Sequence, residues 1–305
     1  MGAAPVPVVH HPACRLHDPG AGHPERPERI DAVLGALRAL DLAGHLAWRE
    51  ARPATREQLE RVHPAQYLEG LERLAHAGGG ALDADTVMSG ASWDAVLAAA
   101  GVAVGAVECG LASGRAFGAT RPPGHHALAA RAMGFCFVNN AVVAARHAQQ
   151  LGAGRVLIID WDVHHGNGTQ ALVERDPTIR YVSLHQYPWY PGTGAAHERG
   201  VGNVFNVPRP PGLERTRYVN DLLDAVDAAL ADWRPPPDLL VVSAGFDSLA
   251  GDPLGGFTLE PDDIATWTRA FRERVAPAPV VGLLEGGYRL DLLAAGARAH
   301  VEALA

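Results

Sequence analysis

Val156-Leu157-Ile158-Ile159-Asp160-Trp161-Asp162-Val163-His164-His165-Gly166-Asn167-Gly168-Thr169-Gln170 is an apolar run that fills at once with carboxylates and imidazoles. Its first residues, Val156 to Ile159, read as a buried strand. Such a strand end carries two Asp and two His only if something compensates their desolvation. A metal ion does so best, and a buried ion-pair network is the alternative. Residues two apart in an extended chain share a face, so Asp160, Asp162 and His164 are expected to point the same way. The glycines allow a tight turn and close backbone approach before a short helix starting near Thr169.

On both sides of this stretch, strand, loop and helix repeat. Upstream, Arg115 to Thr120 reads as a weak strand, and Gly134 to Asn140 leads into a helix from Ala141 to Leu151. Downstream, Arg180 to His185, Asp238 to Ala244 and Pro279 to Leu284 read as strands. Helices are expected over Arg215 to Trp233 and Leu290 to Leu304, with Pro235-Pro236-Pro237 a surface linker too short to separate domains. Such alternation means a mainly parallel sheet with helices on both faces, an α/β architecture.

The amino-terminal part starts as a short leader before Leu16, then a turn-rich loop over Leu16 to Pro24. Helical spacing follows from Glu25, with further helices over Thr55 to His63, where Thr55 is a plausible N-cap, and Pro64 to Ala77. A polar loop spans Gly78 to Thr86, and Ser92 is expected to cap a buried helix running to about Leu111. Its apolar centre, Val96 to Val107, is about a dozen residues, too short to span a bilayer.

At 305 residues and 48% hydrophobic content, the chain is long enough for one large core, and residues 1–305 are expected to form a single domain. The net charge of −8 and the lack of a basic stripe argue against nucleic-acid binding, and no signal peptide is visible. All 26 basic residues are Arg, which reads as genomic composition. Cys14, Cys109 and Cys136 form no CxxC and no even framework, pointing to a reduced, cytoplasmic setting.

In open α/β sheets, ligands bind beyond the carboxyl ends of the strands. The titratable residues fall there strand after strand: His125 and His126; Asp160, Asp162 and His164; Ser183 and His185; Asp247; Tyr288. An ion-pair network would not need such convergence. Asp162, His164 and Asp247 form an oxygen-rich ligand set that suits Zn²⁺ with an open position, or Fe²⁺ equally well. Amide hydrolysis also needs a proton shuttle and an oxyanion donor, roles open to the tandem His125-His126 and to Tyr288. Metal-dependent amide hydrolysis is the reaction class these groups suit.

Arg121-Pro122-Pro123-Gly124-His125-His126-Ala127, Gly134-Phe135-Cys136-Phe137, Asp160 to Gln170, Gly245 to Gly255 and Glu285 to Tyr288 resemble the zinc-dependent histone deacetylase family. The Asp160–Gln170 run, with Asn167, and His23-Pro24-Glu25-Arg26-Pro27-Glu28-Arg29 resemble its class II branch. The likeness runs in order from about Leu16 to Leu304. It implies the arginase-like, three-layer α/β fold and a zinc bound by Asp162, His164 and Asp247. It implies His126 as general base and then acid, and His125 as its electrostatic partner, oriented by Asp160. Tyr288 would polarise the acetyl carbonyl. Asn167 would face His126 where class I enzymes carry an Asp, leaving His126 less basic.

The resemblance also implies a K⁺ site at Asp160, Ser183 and the backbone carbonyls of Asp162, His164 and Leu184. Phe135 and Tyr190 match the walls of an acyl-lysine tunnel, with Gly134, Gly286 and Leu254 beside it and His23 at its mouth. Asp83 or Asp85 would hold substrate at the rim. Phe137, Cys136 and His165 read as packing residues; His17, His185 and His197 carry no expected role. Asp252 does not match the third ligand.

The function implied is removal of acetyl groups from acetyl-lysine or a similar acylated amine. The alternatives are an acetylpolyamine amidohydrolase, a two-metal ureohydrolase, whose DxHxD and DxD ligands are absent, or an inactive binder of acylated ligands. In the family's polyamine-selective eukaryotic branch a Glu follows the Gly-Asp-Pro turn and a Pro-Glu-Cys-Glu helix narrows the entrance. Here those places hold Leu254 and Gly20-Ala21-Gly22-His23, which favours acetyl-lysine.

Overall fold

Runs of Val, Ile and Leu become the strands of this chain, whose computed structural model describes residues 4–40 and 44–305. In chain order the elements are β1 (Val6–His10), α1 (Glu28–Leu40), β2 (Leu46–Glu50), α2 (Arg56–Glu60), α3 (Ala65–His76), β3 (Gly79–Ala81), β4 (Val87–Ser89), α4 (Ser92–Ser113), β5 (Arg115–Gly118) and α5 (Asn140–Gln150). Then come β6 (Val156–Asp160), α6 (Asn167–Val173), β7 (Ile179–Gln186), β8 (Val204–Arg209), α7 (Arg215–Leu230), β9 (Leu239–Ala244), α8 (Pro261–Val275), β10 (Val280–Leu284) and α9 (Leu290–Leu304). All but β3 and β4 join one eight-stranded sheet in the order β2-β1-β5-β10-β9-β6-β7-β8. Every neighbouring pair in it is parallel.

Strand β10 shows why helices must lie on both faces. Successive strand residues point to opposite sides. Val281 meets Gly110 of α4, whereas Gly282 lies under His300 of α9, and a methyl group at either glycine would collide with that neighbour. The α4 and α5 helices therefore pack on one face, while α1, α9, α8 and α7 succeed one another on the other. With both faces covered, β6, β9 and β10 are buried at every residue, which is why their sequences read as unbroken apolar runs.

Several expectations need correction. The supposed leader contains β1, paired to both β2 and β5 and buried at Val6 to Val9. The polar loop at 78–86 is a hairpin, β3 and β4, closed by a short turn. Ser92 is the first residue of α4, not its cap. Ala91 holds that place, and Ser92 Oγ accepts from the Ser89 N–H at 2.7 Å and sits 2.7 Å from His17 Nδ1. Helix α4 is also longer than its apolar centre suggested. Its 22 residues are long and apolar enough to cross a membrane, but 67% of its most apolar stretch is buried, against β1, β5, β10 and α5. It is a core helix. Thr55 does cap α2, in a capping box with Gln58.

Candidate active site

Four neighbouring strands, β5, β10, β9 and β6, end at the same edge, and β7 ends beside them. The loops that leave them bring Asp162, His164 and Asp247 together, with one ligand atom from each within 4.8 Å of the others. Strand β6 ends at Asp160, so simple alternation does not reach His164, and a bend over 162–164 turns its ring inward. His164 Nδ1 lies 3.0 Å from Asp162 Oδ1 and 3.2 Å from Asp247 Oδ2. Backbone N–H groups hold the other oxygens: Gly286 donates to Asp162 Oδ2 at 2.9 Å and Val163 to Asp247 Oδ1 at 2.9 Å. Asp247 Oδ2 is buried without a hydrogen bond among the described residues.

Two buried carboxylates around one ring nitrogen, with an oxygen left over, fit a divalent cation better than they fit one another. The strain shows in their protonation. Burial, then Asp162, pushes the Asp247 carboxyl up to about 7. Burial opposes a charged His164, yet the two carboxylates outweigh it and raise the ring to about 10. A cation would take the place of that proton, since ligands bind deprotonated. Glycine is needed around the trio: a Cβ at Gly245 or Gly286 would overlap the carboxylate oxygens. Gly286 thus backs the carboxylates and does not line the cavity.

The tandem histidines lie beside the trio, their rings 4.0 Å apart. Asp160 Oδ2 is 3.0 Å from His125 Nδ1 and also accepts from the Tyr181 hydroxyl at 2.9 Å. His126 Nδ1 faces Asn167 Oδ1 at 2.8 Å, and Asn167 donates to Met133 Sδ. These surroundings push the two rings apart electrically. Burial disfavours charge on His125, but Asp162 and Asp160 overcome it and hold the ring well above its usual range. Burial, reinforced by His125 and His164, keeps His126 well below, and neutral Asn167 does little to offset that.

A cavity of about 210 Å³ leads to these groups, lined by Asp85, His126, Gly134, Phe135, His164, Trp189, Tyr190, Leu254 and Tyr288. Gly134 and Phe135 both have positive φ, the centre of a two-residue turn closed between Met133 and Cys136. The turn thrusts Phe135 into the cavity at the cost of a strained non-glycine backbone. Tyr190 stands edge-on to His126 at 5.1 Å, and Trp189 Nε1 donates to the Leu254 carbonyl at 2.9 Å. His23 packs edge-on against Phe135 at 4.7 Å and bonds the Asp85 carbonyl, so it supports the wall instead of lining it. Of the two rim candidates, Asp85 reaches the cavity, while Asp83 folds back onto the N–H groups of Asp85 and Thr86.

The histone deacetylase domain family matches residues 23–304. The chain belongs to that family. A histone deacetylase-like amidohydrolase of Pseudomonas aeruginosa is 41% identical, covering 88% of this chain and 73% of the relative. The human polyamine deacetylase HDAC10 is 37% identical over 88% of this chain and 43% of its own length. The crystal structure of the HDA15 HD domain superposes with a TM-score of 0.93 at 34% identity, over 99% of this chain and 88% of that one.

Within this deacetylase fold, a buried polar network supports the site, and sequence reading gave its members no part. Glu285 accepts from the Gly124 and His125 N–H groups at 2.7 and 3.2 Å and from the Ser243 hydroxyl at 3.1 Å. Burial pushes its carboxyl up to about 7. Arg29 donates to the Gly287 carbonyl at 2.6 Å, stacks over the Tyr288 ring at 4.9 Å and pairs with Glu25. Glu25 is shared with Arg121 at 2.8 Å. The i,i+4 spacing of Glu25 and Arg29 was a readable signal; the partners in distant loops were not. Ser183 pairs in register with Asp160, and its hydroxyl lies 2.9 Å from His185 Nδ1. Leu184 follows it, fully buried in β7. His165 is held between Thr193 and Gln170, and His197 is exposed. The three cysteines are free.

Proposed function

We propose that this chain is a zinc-dependent hydrolase that removes acetyl groups from acetyl-lysine, acting as one catalytic domain. Asp162, His164 and Asp247 would hold the metal, and the buried, unbonded Asp247 Oδ2 within this trio carries the reading. Zinc bound there would polarise the acyl carbonyl and bring the pKa of a water to about 7. Asn167 accepts from Nδ1 of His126 and so leaves Nε2 as the lone pair facing the site. Held neutral, His126 takes the water's proton and returns it to the departing amine. His125 keeps its positive charge against Asp160 and supplies electrostatic support. Tyr288 donates its hydroxyl to the carbonyl oxygen as negative charge develops there. Asp160 and Ser183, side by side in the sheet, would hold a potassium ion with the carbonyls of Asp162, His164 and Leu184. Phe135, Tyr190 and Leu254 give the cavity an apolar passage suited to a lysine's methylenes.

One observation favours a second reading, hydrolysis of acetylpolyamines: Asp85 lines the same cavity and presents a carboxylate to a second ammonium group. The two readings separate on a panel of acetyl-lysine peptides, acetylspermidine and acetylputrescine. The peptides are expected to show the higher kcat/KM, and Leu254→Glu to shift preference toward polyamines. A tenfold or greater preference of the wild type for acetylpolyamines would select the second reading.

A further inference from the structure

The carboxylate of Asp252 ties together the two loops that supply Leu254 and Tyr288. Its Oδ1 accepts from the Leu254 N–H at 3.0 Å. Its Oδ2 accepts from the N–H groups of Tyr288 at 2.7 Å and Arg289 at 3.1 Å. The side chain is only 5% exposed. The Arg289 guanidinium turns to Asp291 instead, so Asp252 is engaged through backbone amides.

Local sequence leaves the Tyr288 backbone poorly fixed. Gly286 and Gly287 precede it, and Gly287 sits at φ +119°, where glycine is conformationally freest. Helix α9 begins just beyond, and its N-cap residue Arg289 contributes no side-chain cap. The amides at a helix start lack partners within it, and here a carboxylate from another loop takes that of the N-cap residue Arg289 and that of Tyr288 before it. Arg29 and Phe135 contact the Tyr288 ring, at 4.9 and 5.7 Å, and Arg29 holds the Gly287 carbonyl just before it, whereas the N–H groups of Tyr288 and Arg289 are held by Asp252.

We infer that Asp252 is a positioning residue for Tyr288, fixing where the phenol hydroxyl meets the substrate carbonyl and tying that point to the Leu254 wall. The inference rests on the reading of Tyr288 as the oxyanion donor. A displacement of about 1 Å at a reacting group can cost about a hundredfold in rate, so backbone anchorage at this residue matters to catalysis. A helix cap alone would affect stability and leave turnover as it was.

The test is a double-mutant cycle on the metal-loaded full chain, with kcat, KM and zinc content measured for Asp252→Asn, Asp252→Ala, Tyr288→Phe and the two double variants. Asn fills the same space and keeps one acceptor oxygen, so it folds even if Ala does not. In the wild-type background, Asp252→Asn is expected to lower kcat at least about tenfold while KM stays within about threefold and zinc content is unchanged. In the Tyr288→Phe background the same change is expected to cost less than about threefold, because the group it positions is already gone. An equal loss in both backgrounds, or an Asp252→Asn enzyme with wild-type kcat beside a crippled Tyr288→Phe, overturns the inference alone. A Tyr288→Phe enzyme with unchanged kcat overturns the reading of Tyr288 and the inference with it.

Discussion

Asn167 sets the character of His126. Its Oδ1 receives the Nδ1–H, but it has no charge with which to stabilise an imidazolium. Replacing it by Asp would add a carboxylate at that contact and raise the His126 pKa. Because His126 must be neutral to accept a proton, the acidic limb of the kcat/KM profile is expected to move upward by about one pH unit in Asn167→Asp. An unmoved limb would mean that another group governs it. At this scale most of the candidate site was legible. Asp162, His164, Asp247, His125, His126 and Tyr288 all follow parallel strands, and chemistry gathers at that edge. Gly286 and His23 were misplaced because each stands one layer behind the cavity, a distinction that depends on side-chain direction and not on order along the chain. Glu285 and Asp252 bind backbone amides of remote loops, and no local pattern announces such partners.

Strands buried on both faces announce themselves, and β6, β9 and β10 were located nearly to the residue. Edge strands do not. Residues Leu46–Glu50 of β2 and Val204–Arg209 of β8 mix apolar with charged or turn-forming residues, since only one side of each pairs with a neighbour. Helix α8 was readable in principle: Pro261 opens it, Asp263 completes a capping box, and Ile264, Trp267, Phe271 and Val275 follow helical spacing. Helix α4 owes its length to an uninterrupted apolar face, yet Gly101 within it marks a close crossing. A Cβ there would overlap the Arg52 carbonyl oxygen and come within 2.9 Å of Pro53 C. Gly101→Ala therefore has to push α4 away from the 52–54 backbone, although alanine is the better helix former. It is expected to destabilise the protein by roughly 1–3 kcal/mol in denaturant titration. A stabilised variant would show that this backbone yields.

Across the whole molecule, buried histidines outside the site make stability depend on pH. His17, His63 and His185 are pushed down to about 4 and His300 to about 3, burial being the first cause in each. Their folded pKa values lie below the unfolded one, so the unfolded chain binds more protons as the medium acidifies. The stability they contribute is complete above about pH 6.5 and is lost as pH falls toward 4. The buried Glu285 carboxyl, raised to about 7, acts in the opposite sense, but four rings outweigh one carboxyl, and thermal unfolding is expected to drop by roughly 5–10 °C between pH 7 and pH 5; a flat profile would contradict that balance. The central claim is that the Asp162, His164 and Asp247 trio holds a catalytic zinc. The direct measurement is metal analysis of gently purified wild-type and Asp247→Ala protein, paired with deacetylase activity before and after chelation. One zinc per wild-type chain, none in Asp247→Ala, and activity lost with the metal is the predicted result. Full activity in chelator from protein carrying no transition metal would contradict it.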